Sequence, residues 1–363
     1  MTQQDVPPVR ETDPAVPRPR GRGTTTASAS STDAPVRLSV ERLDPLTGLR
    51  TRQLVVVDES DGSPTRAASQ AAFAALDRLL GDNPSWAAPS VEREDLALHN
   101  GASEWIYASP SMRQWRTHLV PRATALYVLQ RPDSEHLLPG WVSVDALCRT
   151  FVVDGLDGIG IRTRARMMQD AVAPRLGAAL AGGRGRWVSL ACGAAVPVLD
   201  TLARTGLAGG ELVLVDIDTE ALAFAGDLAR EQGLVEGEDF TLLHRNLVSG
   251  VVARAELVAE LGAGSASVVD ALGIFEYFSD ASCVRLLRNA WDLLEPQGVL
   301  VVANMLDDRP ELSLNQRGLG WPSIVPRSRE RLVELVQRAG LPLARTTLST
   351  AQDGVYAVVD VVR

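Results

Sequence analysis

The stretch GRWVSLACGAAVPVLDTL, residues 185–202, decides the fold because it joins two apolar patterns through a run of small residues. Apolar side chains at 187–191 predict a buried strand, and the amphipathic pattern at 195–206 predicts a helix. Between the two patterns stand Ala191, Cys192, Gly193, Ala194 and Ala195. Small side chains at such a turn leave backbone N–H groups and the helix N-terminus open to a ligand.

The alternation of strand and helix continues from this stretch to the C-terminus. Further apolar runs fall at 211–216, 239–244, 266–272 and 299–304, and amphipathic stretches fall at 219–232, 280–294 and 328–339. This alternation predicts a parallel sheet that is covered on both faces. The last two extended runs, 341–348 and 354–362, have no room for a helix between them. They predict an antiparallel hairpin at the edge of the sheet.

The residues before the first strand divide into three predicted regions. Residues 1–36 are rich in Pro, Arg, Thr, Ser and Ala, which predicts a disordered tail. Residues 37–150 are expected to form an accessory cap, with a hairpin around DPLTG and a mainly helical remainder. Residues 151–363 are expected to form the main α/β domain, which opens with a helix that Pro174 interrupts.

Composition and cysteine usage exclude several classes of function. The formal net charge of −9 argues against general nucleic-acid affinity, and no apolar run reaches the roughly 18 residues that a membrane span needs. The cysteines Cys148, Cys192 and Cys283 match no zinc spacing, and the four histidines form no ligand pair. We expect a cytoplasmic protein that binds no metal, does not insert into membranes and acts on a small molecule. The oligomeric state stays open.

An acidic residue ends the second predicted strand, where LVLVDID places Asp216 at the carboxyl tip. Ligands of open parallel sheets bind outside the carboxyl ends of the strands, and an acid there accepts hydrogen bonds from ribose hydroxyls. The first loop has one glycine in place of the G-x-G-x-x-G fingerprint that binds a pyrophosphate. These two features predict a nucleoside ligand without a pyrophosphate.

Residues 186–363 resemble the class I S-adenosylmethionine (SAM)-dependent methyltransferases. VSLACGAA resembles the family's glycine-rich first loop, and VLVDIDTEALAFA resembles its acidic second strand with the following helix. LHRNLV, VVDALGIFEYFSD and LLEPQGVLVVANM resemble the third strand, the fourth strand and the turn into the fifth. The resemblance implies a Rossmann-like, seven-stranded, mostly parallel sheet with an antiparallel last strand, and SAM as the cofactor.

The resemblance also implies which residues contact each part of SAM. They are Ala191, Gly193 and Ala194 for the methionine part, Asp216 for the ribose hydroxyls, Ile217 for an adenine face, and Asn246 with Leu247 for the adenine edge. Three positions depart from the family pattern. Ser189 replaces an acid that often orients the first loop, Ala195 replaces a glycine, and Asn246 replaces an aspartate.

Three residues at the end of the fourth strand are candidates for the chemistry. Asp270 ends a buried apolar run, where an unpaired carboxylate is costly. Asp270 has three functional interpretations: it stabilises the sulfonium, binds an acceptor amine or acts as a base. The structural alternative is a strand-end carboxylate that is hydrogen-bonded to the next loop. We assign Asp270 and Tyr277 as catalytic residues. Tyr277 would bind or polarise an acceptor hydroxyl, and Asp270 is also assigned as a cofactor-binding residue. Glu276 is interpreted as a helix-capping or solvated residue.

Four further residues are predicted to contact the acceptor. Arg162 and Arg164 stand ahead of the first strand, where an arginine either binds a carboxylate of SAM or of the acceptor or lies on a solvated helix face, and Arg162 is assigned to the acceptor. Asn304 and Met305 leave the fifth strand toward the same crevice. Trp321 lies in a long connection at 306–327. Connections of that length often form lids, so this loop and the tryptophan-bearing region 82–150 are expected to roof the acceptor pocket.

The sequence therefore predicts a SAM-dependent methyltransferase that acts on a small or medium organic acceptor by O- or N-methylation. Two alternatives stay open. One is transfer or cyclisation of the aminocarboxypropyl group of SAM, which releases methylthioadenosine. The other is a SAM-binding module without catalysis.

Overall fold

A computed structural model of the chain describes residues 36–57, 64–181, 185–205, 210–247, 256–321 and 323–363. The predicted tail at 1–36 lies outside these ranges except for Val36, which begins the first strand. The strands are β1 (Val36–Leu43), β2 (Arg50–Val56), β3 (Ser90–Glu92), β4 (Asp95–Ala97), β5 (Arg186–Leu190), β6 (Glu211–Asp216), β7 (Phe240–His244), β8 (Ala266–Ala271), β9 (Leu294–Met305), β10 (Thr346–Ala351) and β11 (Tyr356–Val362).

The helices alternate with strands in the second half of the chain and cluster together in the first half. They are α1 (Arg66–Asp82), α2 (Gly101–Ile106), α3 (Pro110–Gln114), α4 (Tyr127–Gln130), α5 (Ala146–Asp154), α6 (Leu156–Ala181), α7 (Val196–Thr205), α8 (Thr219–Glu231), α9 (Glu256–Leu261), α10 (Asp280–Leu293) and α11 (Arg329–Ala339). Side-chain oxygens cap several of them as expected for helix starts: Asp218 caps α8, Ser279 caps α10 and Ser328 caps α11.

Within the described residues, nine strands form one sheet in the order β1-β2-β10-β11-β9-β8-β5-β6-β7. Strand β1 runs antiparallel to β2, and β11 runs antiparallel to both of its neighbours, β9 and β10. The pairs β9–β8, β8–β5, β5–β6 and β6–β7 are parallel. The prediction of seven strands is wrong. The N-terminal hairpin continues the sheet because β2 pairs in parallel with β10, from Arg50 opposite Thr347 to Leu54 opposite Ala351. The C-terminal hairpin is antiparallel as predicted, but β2 rather than solvent covers its β10 edge.

Alternate residues of the central strands pack on opposite faces of the sheet, as the two-residue repeat of a strand requires. Val188 and Leu190 of β5 contact the cluster formed with α10 and α11, whereas Trp187 contacts the cluster formed with α6, α7 and α8. Both clusters consist mostly of aliphatic side chains, and almost all of their members are fully buried. Helices therefore cover both faces, and the carboxyl ends of the parallel strands open at one edge.

Helix α6 continues through Pro174, so the predicted interruption is wrong. Val172 and Leu176, two residues to either side, are fully buried against the sheet. Packing of these side chains holds the helical backbone in place despite the hydrogen bond that the proline cannot make.

A third hydrophobic cluster joins the first half of the chain to the rest. It contains Phe73 of α1 and Trp115, together with Phe151, Met305 and Tyr356 from the predicted main domain. The division at residue 150 stays a prediction.

Two further observations bear on the classes of ligand. No described helix is long and apolar enough to cross a membrane. Among the residues that the structure describes, no group of three or more His, Cys, Asp or Glu side chains is arranged to hold a metal ion.

A proline in the interior of a helix is disfavoured by roughly 3 kcal/mol relative to alanine, because its N–H is missing and its ring crowds the preceding turn. Pro174 is exposed, so Pro174→Ala removes this cost with little loss of packing. We expect the free energy of unfolding, measured by urea denaturation, to rise by about 1–3 kcal/mol. The exposed control Ala178→Gly should lower it by about 1 kcal/mol. No change in either variant would contradict a continuous helix.

Candidate active site

A cavity of about 360 Å³ lies at the carboxyl ends of β5, β6, β7 and β8. All eight residues predicted to contact the cofactor line this cavity: Ala191, Gly193, Ala194, Asp216, Ile217, Asn246, Leu247 and Asp270. Tyr277 and Trp321 line it as well. The structure thus brings together residues that are spread over more than 130 positions of the sequence, at the edge where an open parallel sheet binds its ligands.

The first loop turns through three residues with left-handed backbone conformation. Ala191 has φ 51°, Gly193 has φ 56° and Ala195 has φ 54°. The chain stays close to its neighbours there, because the Cys192 N–H donates to the Val215 carbonyl at 3.1 Å. A Cβ on Gly193 would lie 3.1 Å from the Cβ of Ala123. Small residues are therefore required by the backbone and by the segment that packs over the loop.

Asp216 is held at the tip of β6 by two backbone N–H groups. Its Oδ2 accepts from Gly193 at 2.8 Å, and its Oδ1 accepts from Asp218 at 2.9 Å. The side chain is almost completely buried and faces the cavity. An ionised carboxylate offers about four lone-pair positions, so each oxygen can still accept one further hydrogen bond. Two neighbouring hydroxyl groups of a ligand fit this remaining capacity.

The part of the cavity wall that follows β6 and β7 offers one exposed apolar surface beside polar groups. Ile217 is 56% exposed although it follows a buried strand, and its carbonyl is bonded to His244 Nε2 at 2.9 Å. Asn246 and Leu247 follow β7 and complete this wall. A flat heterocycle is the kind of group that covers an exposed aliphatic side chain while bonding to an amide at its edge.

Asp270 is buried at the end of β8, opposite Ser189 of β5 in the register of the sheet. Its Oδ1 accepts from the indole Nε1 of Trp187 at 2.7 Å. Burial raises the pKa of Asp270 to about 7, although the hydrogen bond from Trp187 and the charge of Arg164 act in the opposite direction. Asp270 is therefore poised to exchange a proton, or to respond to a positive charge in the cavity, near neutral pH. The same burial, with Asp216 and Asp270 nearby, raises the pKa of Cys192, so its sulfur stays a neutral thiol.

A smaller compartment of about 40 Å³ adjoins the cavity, and we refer to it as the aromatic compartment. The two spaces share four lining residues: Leu126, Gly273, Tyr277 and Trp321. Met305, which was predicted to contact the acceptor, lines the aromatic compartment. The Trp321 Nε1 donates to the Tyr277 hydroxyl at 2.6 Å, so the phenol oxygen is already oriented by one protein group.

Two predicted acceptor contacts are not part of either space. Arg162 donates to the carbonyls of Leu129, Val152 and Val153 and lines a separate cavity beside α7. Asn304 is fully buried, with its Nδ2 donating to backbone carbonyls and its Oδ1 accepting from Arg327. Both side chains hold the protein together, since each meets its hydrogen-bonding needs within the fold.

Three charged or polar residues at the site were not among the residues assigned to it from the sequence, although Arg164 had been considered beside Arg162 as a carboxylate ligand. Arg164 lines the cavity, donates to the Leu272 carbonyl at 3.0 Å and stacks 4.6 Å from the ring centre of Tyr356. Glu276 is 5% exposed, so it is not the solvated residue expected, and burial raises its pKa while nearby Arg164 lowers it. The signal for Trp187 was present: a tryptophan in a buried strand needs a partner for its N–H.

The roof of the site comes from the two segments in which it was predicted. The turn and helix at 121–130 supply Pro121, Arg122, Ala123, Leu126 and Gln130 to the cavity. The loop 306–327 is bonded to the N-terminal helices, with Tyr107 Oη donating to the Leu319 carbonyl at 2.7 Å. The rings of Trp115 and Trp321 meet at 5.7 Å between centroids. The two segments therefore form one continuous cover.

No family model and no curated protein matches the chain. Among solved structures, a possible exported protein from Bordetella parapertussis is 18% identical, covers 83% of this chain and 99% of its own, and has a TM-score of 0.56. The magnesium protoporphyrin IX methyltransferase of Synechocystis PCC 6803 with bound S-adenosylhomocysteine (SAH) is 17% identical, covers 57% of this chain and 87% of its own, and has a TM-score of 0.42. An O-methyltransferase family protein from Burkholderia thailandensis is 17% identical, covers 78% of this chain and 82% of its own, and has a TM-score of 0.43.

At 18% identity, the likeness to the first of these structures extends to the fold alone. The order β7-β6-β5-β8-β9-β11-β10, with β11 antiparallel, contains the seven strands that the sequence resemblance implies. Two further strands, β1 and β2, extend this seven-stranded arrangement at one edge.

The backbone of the first loop gives two substitutions with opposite expected effects. Gly193→Ala adds a Cβ at a positive φ and should lower the free energy of unfolding by about 1–2 kcal/mol. Ala191→Gly relieves the same kind of strain, and after its entropy cost it should raise the free energy of unfolding by about 0.5–1 kcal/mol. Urea denaturation measures both. A shift of both variants in the same direction would contradict the loop conformation.

The raised pKa of Asp270 makes stability depend on pH. Its folded pKa of about 7 lies above the unfolded value of about 4, so the folded state binds more protons between these limits. The contribution of Asp270 to stability is therefore present at low pH and is lost as the pH rises through 7. Between pH 5 and pH 8 the wild type should lose about 2 kcal/mol more than Asp270→Asn in urea denaturation. Equal losses would show that Asp270 does not titrate in this range.

Proposed function

We propose that the chain is a SAM-dependent methyltransferase acting on a small or medium organic acceptor. The observation that carries the proposal is the position of Asp216, whose two oxygens are each bonded once to the backbone and face the cavity with one acceptor position left. This capacity suits the two hydroxyls of a ribose. The methyltransferase fold supports the same cofactor.

The other lining residues fit the remaining parts of SAM. The exposed side chain of Ile217 suits an adenine face, and Asn246 with Leu247 suits its edge. The first loop, with its small residues Ala191, Gly193 and Ala194, admits the methionine part against bare backbone. Arg164 lines the same cavity, and its Nε is buried without a hydrogen-bond partner. Its guanidinium is therefore a candidate to bind the methionine carboxylate.

When bound, SAM would supply a methyl group on a positively charged sulfur. Attack of the acceptor on this methyl carbon would break the carbon–sulfur bond and leave SAH. Asp270 stabilises positive charge in the cavity when it is ionised, and Trp187 holds its carboxylate in position. Tyr277 borders both spaces and is oriented by Trp321, so it aligns an acceptor hydroxyl or amine.

Binding of the cofactor product tests the proposal. Wild-type protein titrated calorimetrically with SAH and SAM should bind both ligands. Asp216→Ala removes both ribose bonds and should weaken binding by at least about 100-fold, because hydrogen bonds to a charged group are worth about 1.5–3 kcal/mol each. The control Asp227→Ala changes an exposed carboxylate on α8 and should leave the affinity unchanged. No SAH binding by the wild type, or unchanged affinity in a folded Asp216→Ala, would contradict the proposal.

The spent cofactor separates methyl transfer from the alternatives. Incubation of the protein with SAM and a panel of small acceptors, followed by mass spectrometry, should yield SAH. Methylthioadenosine would instead indicate aminocarboxypropyl transfer or cyclisation, and bound but unconsumed SAM would indicate a binding module. The cytosolic location and the absence of nucleic-acid partners and of membrane insertion stay predictions from the sequence.

A further inference from the structure

The positive charges of the main cavity, the space of about 360 Å³ at the carboxyl ends of β5–β8, are already compensated by the protein. Among the described residues, each arginine that lines it is ion-paired with a glutamate outside the lining: Arg122 with Glu220, Arg245 with Glu260, and Arg164 with Glu276. These guanidinium groups therefore do not balance the acids that face the cavity.

The acids of the lining have no such partners. They are Asp216, Asp218 and Asp270, and in the part of the chain that the structure describes none of them forms an ion pair. Backbone N–H groups hold Asp216 and Asp218. Asp270 accepts from a neutral donor, the indole of Trp187, at 2.7 Å. The cavity thus presents negative charge without a cation, which favours a ligand that carries a positive charge.

Asp270 is the carboxyl group for which the missing cation matters most. Its side chain is 3% exposed, and an ionised carboxylate buried without a cation is costly. Burial accordingly raises its pKa to about 7. Either a proton or a cationic group of a ligand relieves this cost. The two compete, because a protonated carboxyl group has lost the charge that attracts a cation.

The surroundings of Asp270 supply little positive charge. Arg164 of α6 lowers the pKa of Asp270, but its guanidinium also donates to the Leu272 carbonyl at 3.0 Å and lies 4.0 Å from Glu276. The other side chains that face Asp270 from the packed elements are uncharged: the neutral thiol of Cys192 in the first loop, Trp187 and Ser189 of β5, and Val301 of β9. A cation in the cavity would therefore act on Asp270 without a strong competitor.

The spacing of the two strand-end carboxylates favours the sulfonium of SAM as that cation. Asp270 lies opposite Ser189 of β5, and Asp216 lies one strand beyond β5 and about two residues further along it. Standard strand spacings place the two Cα atoms roughly 10–12 Å apart. The sulfur of SAM is roughly 5 Å from the ribose hydroxyls. A ribose on Asp216 therefore brings the sulfonium within reach of Asp270, whereas the ammonium lies three carbon atoms farther along the methionine part.

We propose that Asp270 distinguishes SAM from SAH by charge: the sulfonium of SAM binds beside the ionised carboxylate and expels the proton that the free site holds, whereas the neutral sulfur of SAH leaves that proton in place. The only bond broken is the O–H bond of the carboxyl group, and its proton passes to the solvent. Binding of SAM is thereby coupled to proton release, and loss of the methyl group weakens the hold on the product. The inference rests on the proposed function, because it takes SAM as the ligand.

The relative affinity for the two ligands at different pH values tests the inference. SAM and SAH carry the same carboxylate, amine and adenine, so the ratio of their Kd values isolates the charge on sulfur. Between pH 5.5 and pH 8 the preference of the wild type for SAM should rise about tenfold or more, since an opposite charge lowers the pKa of a carboxyl group by about 1–3. Calorimetric titration of the full chain measures both Kd values.

The same calorimetry counts the protons when it is repeated at pH 6.5 in buffers of different ionisation enthalpy. Asp270 is mostly protonated at this pH in the free protein. Binding of SAM should therefore release roughly half a proton more per site than binding of SAH.

A pair of aspartate variants assigns the proton. Asp270→Asn keeps the size of the side chain but does not titrate, so the preference for SAM should no longer change with pH and the extra proton release should vanish. Asp360→Asn is the matched control: burial raises the pKa of Asp360 on β11 to about 6, but this residue does not line the cavity. It should keep the pH dependence of the wild type. If Asp270→Asn fails to fold, the wild-type ratio and proton count decide the question.

The outcomes separate this inference from the proposed function. If SAM and SAH bind but their ratio does not change with pH, or if both release the same number of protons, the inference is overturned and the proposed function stands. Equal release would assign Asp270 to the ammonium, which both ligands carry. Failure of both ligands to bind at every pH would overturn the proposed function and this inference with it.

Discussion

The carboxylate of Asp216 joins the two parts of the chain on which the site depends. It ends β6, and it accepts hydrogen bonds from the N–H of Gly193 in the first loop and from the N–H of Asp218 at the start of α8. These bonds hold a loop in which three residues have left-handed conformations, two of them alanines that are strained there. One buried side chain thus sets the shape of the loop and presents its own oxygens to the cavity.

The chemistry of the site is divided between two levels. The carboxyl ends of the strands provide Asp216 and Asp270, and helix α6 provides Arg164, so charged groups lie at the base of the main cavity. The roof provides mostly aromatic and aliphatic groups from the segment around Trp115 and the loop that carries Trp321. A polar base beneath an apolar cover is the arrangement expected of a small-molecule site, where few polar groups fix orientation and apolar walls exclude water.

The strands and the cofactor-facing residues were predictable because they follow local rules. A buried strand, a turn of small residues and an acid at the next strand tip are visible as sequence patterns, and the resemblance extended them to Asn246 and Leu247. The nine-stranded sheet was not predictable, because pairing of β2 with β10 joins residues almost 300 positions apart. The long helix through Pro174 was missed because packing of Val172 and Leu176 overrides a local signal.

The acceptor side was harder to predict because its residues come from loops without a regular pattern. Asn304 and Met305 are adjacent in the sequence, yet only Met305 reaches the aromatic compartment, since alternate residues of a strand point to opposite sides. Arg162 and Arg164 are both on α6, and their side chains reach two different cavities. Glu276 gave no sequence signal because only the packing of the roof buries it.

A crystal structure of the protein with SAH tests the central claim most directly, because it locates the sugar relative to Asp216. The account predicts both ribose hydroxyls within hydrogen-bond distance of the Asp216 carboxylate, with the sulfur of SAH turned toward Asp270 and the aromatic compartment. Adenosine bound elsewhere, or an Asp216 side chain turned away from the ribose, would contradict it.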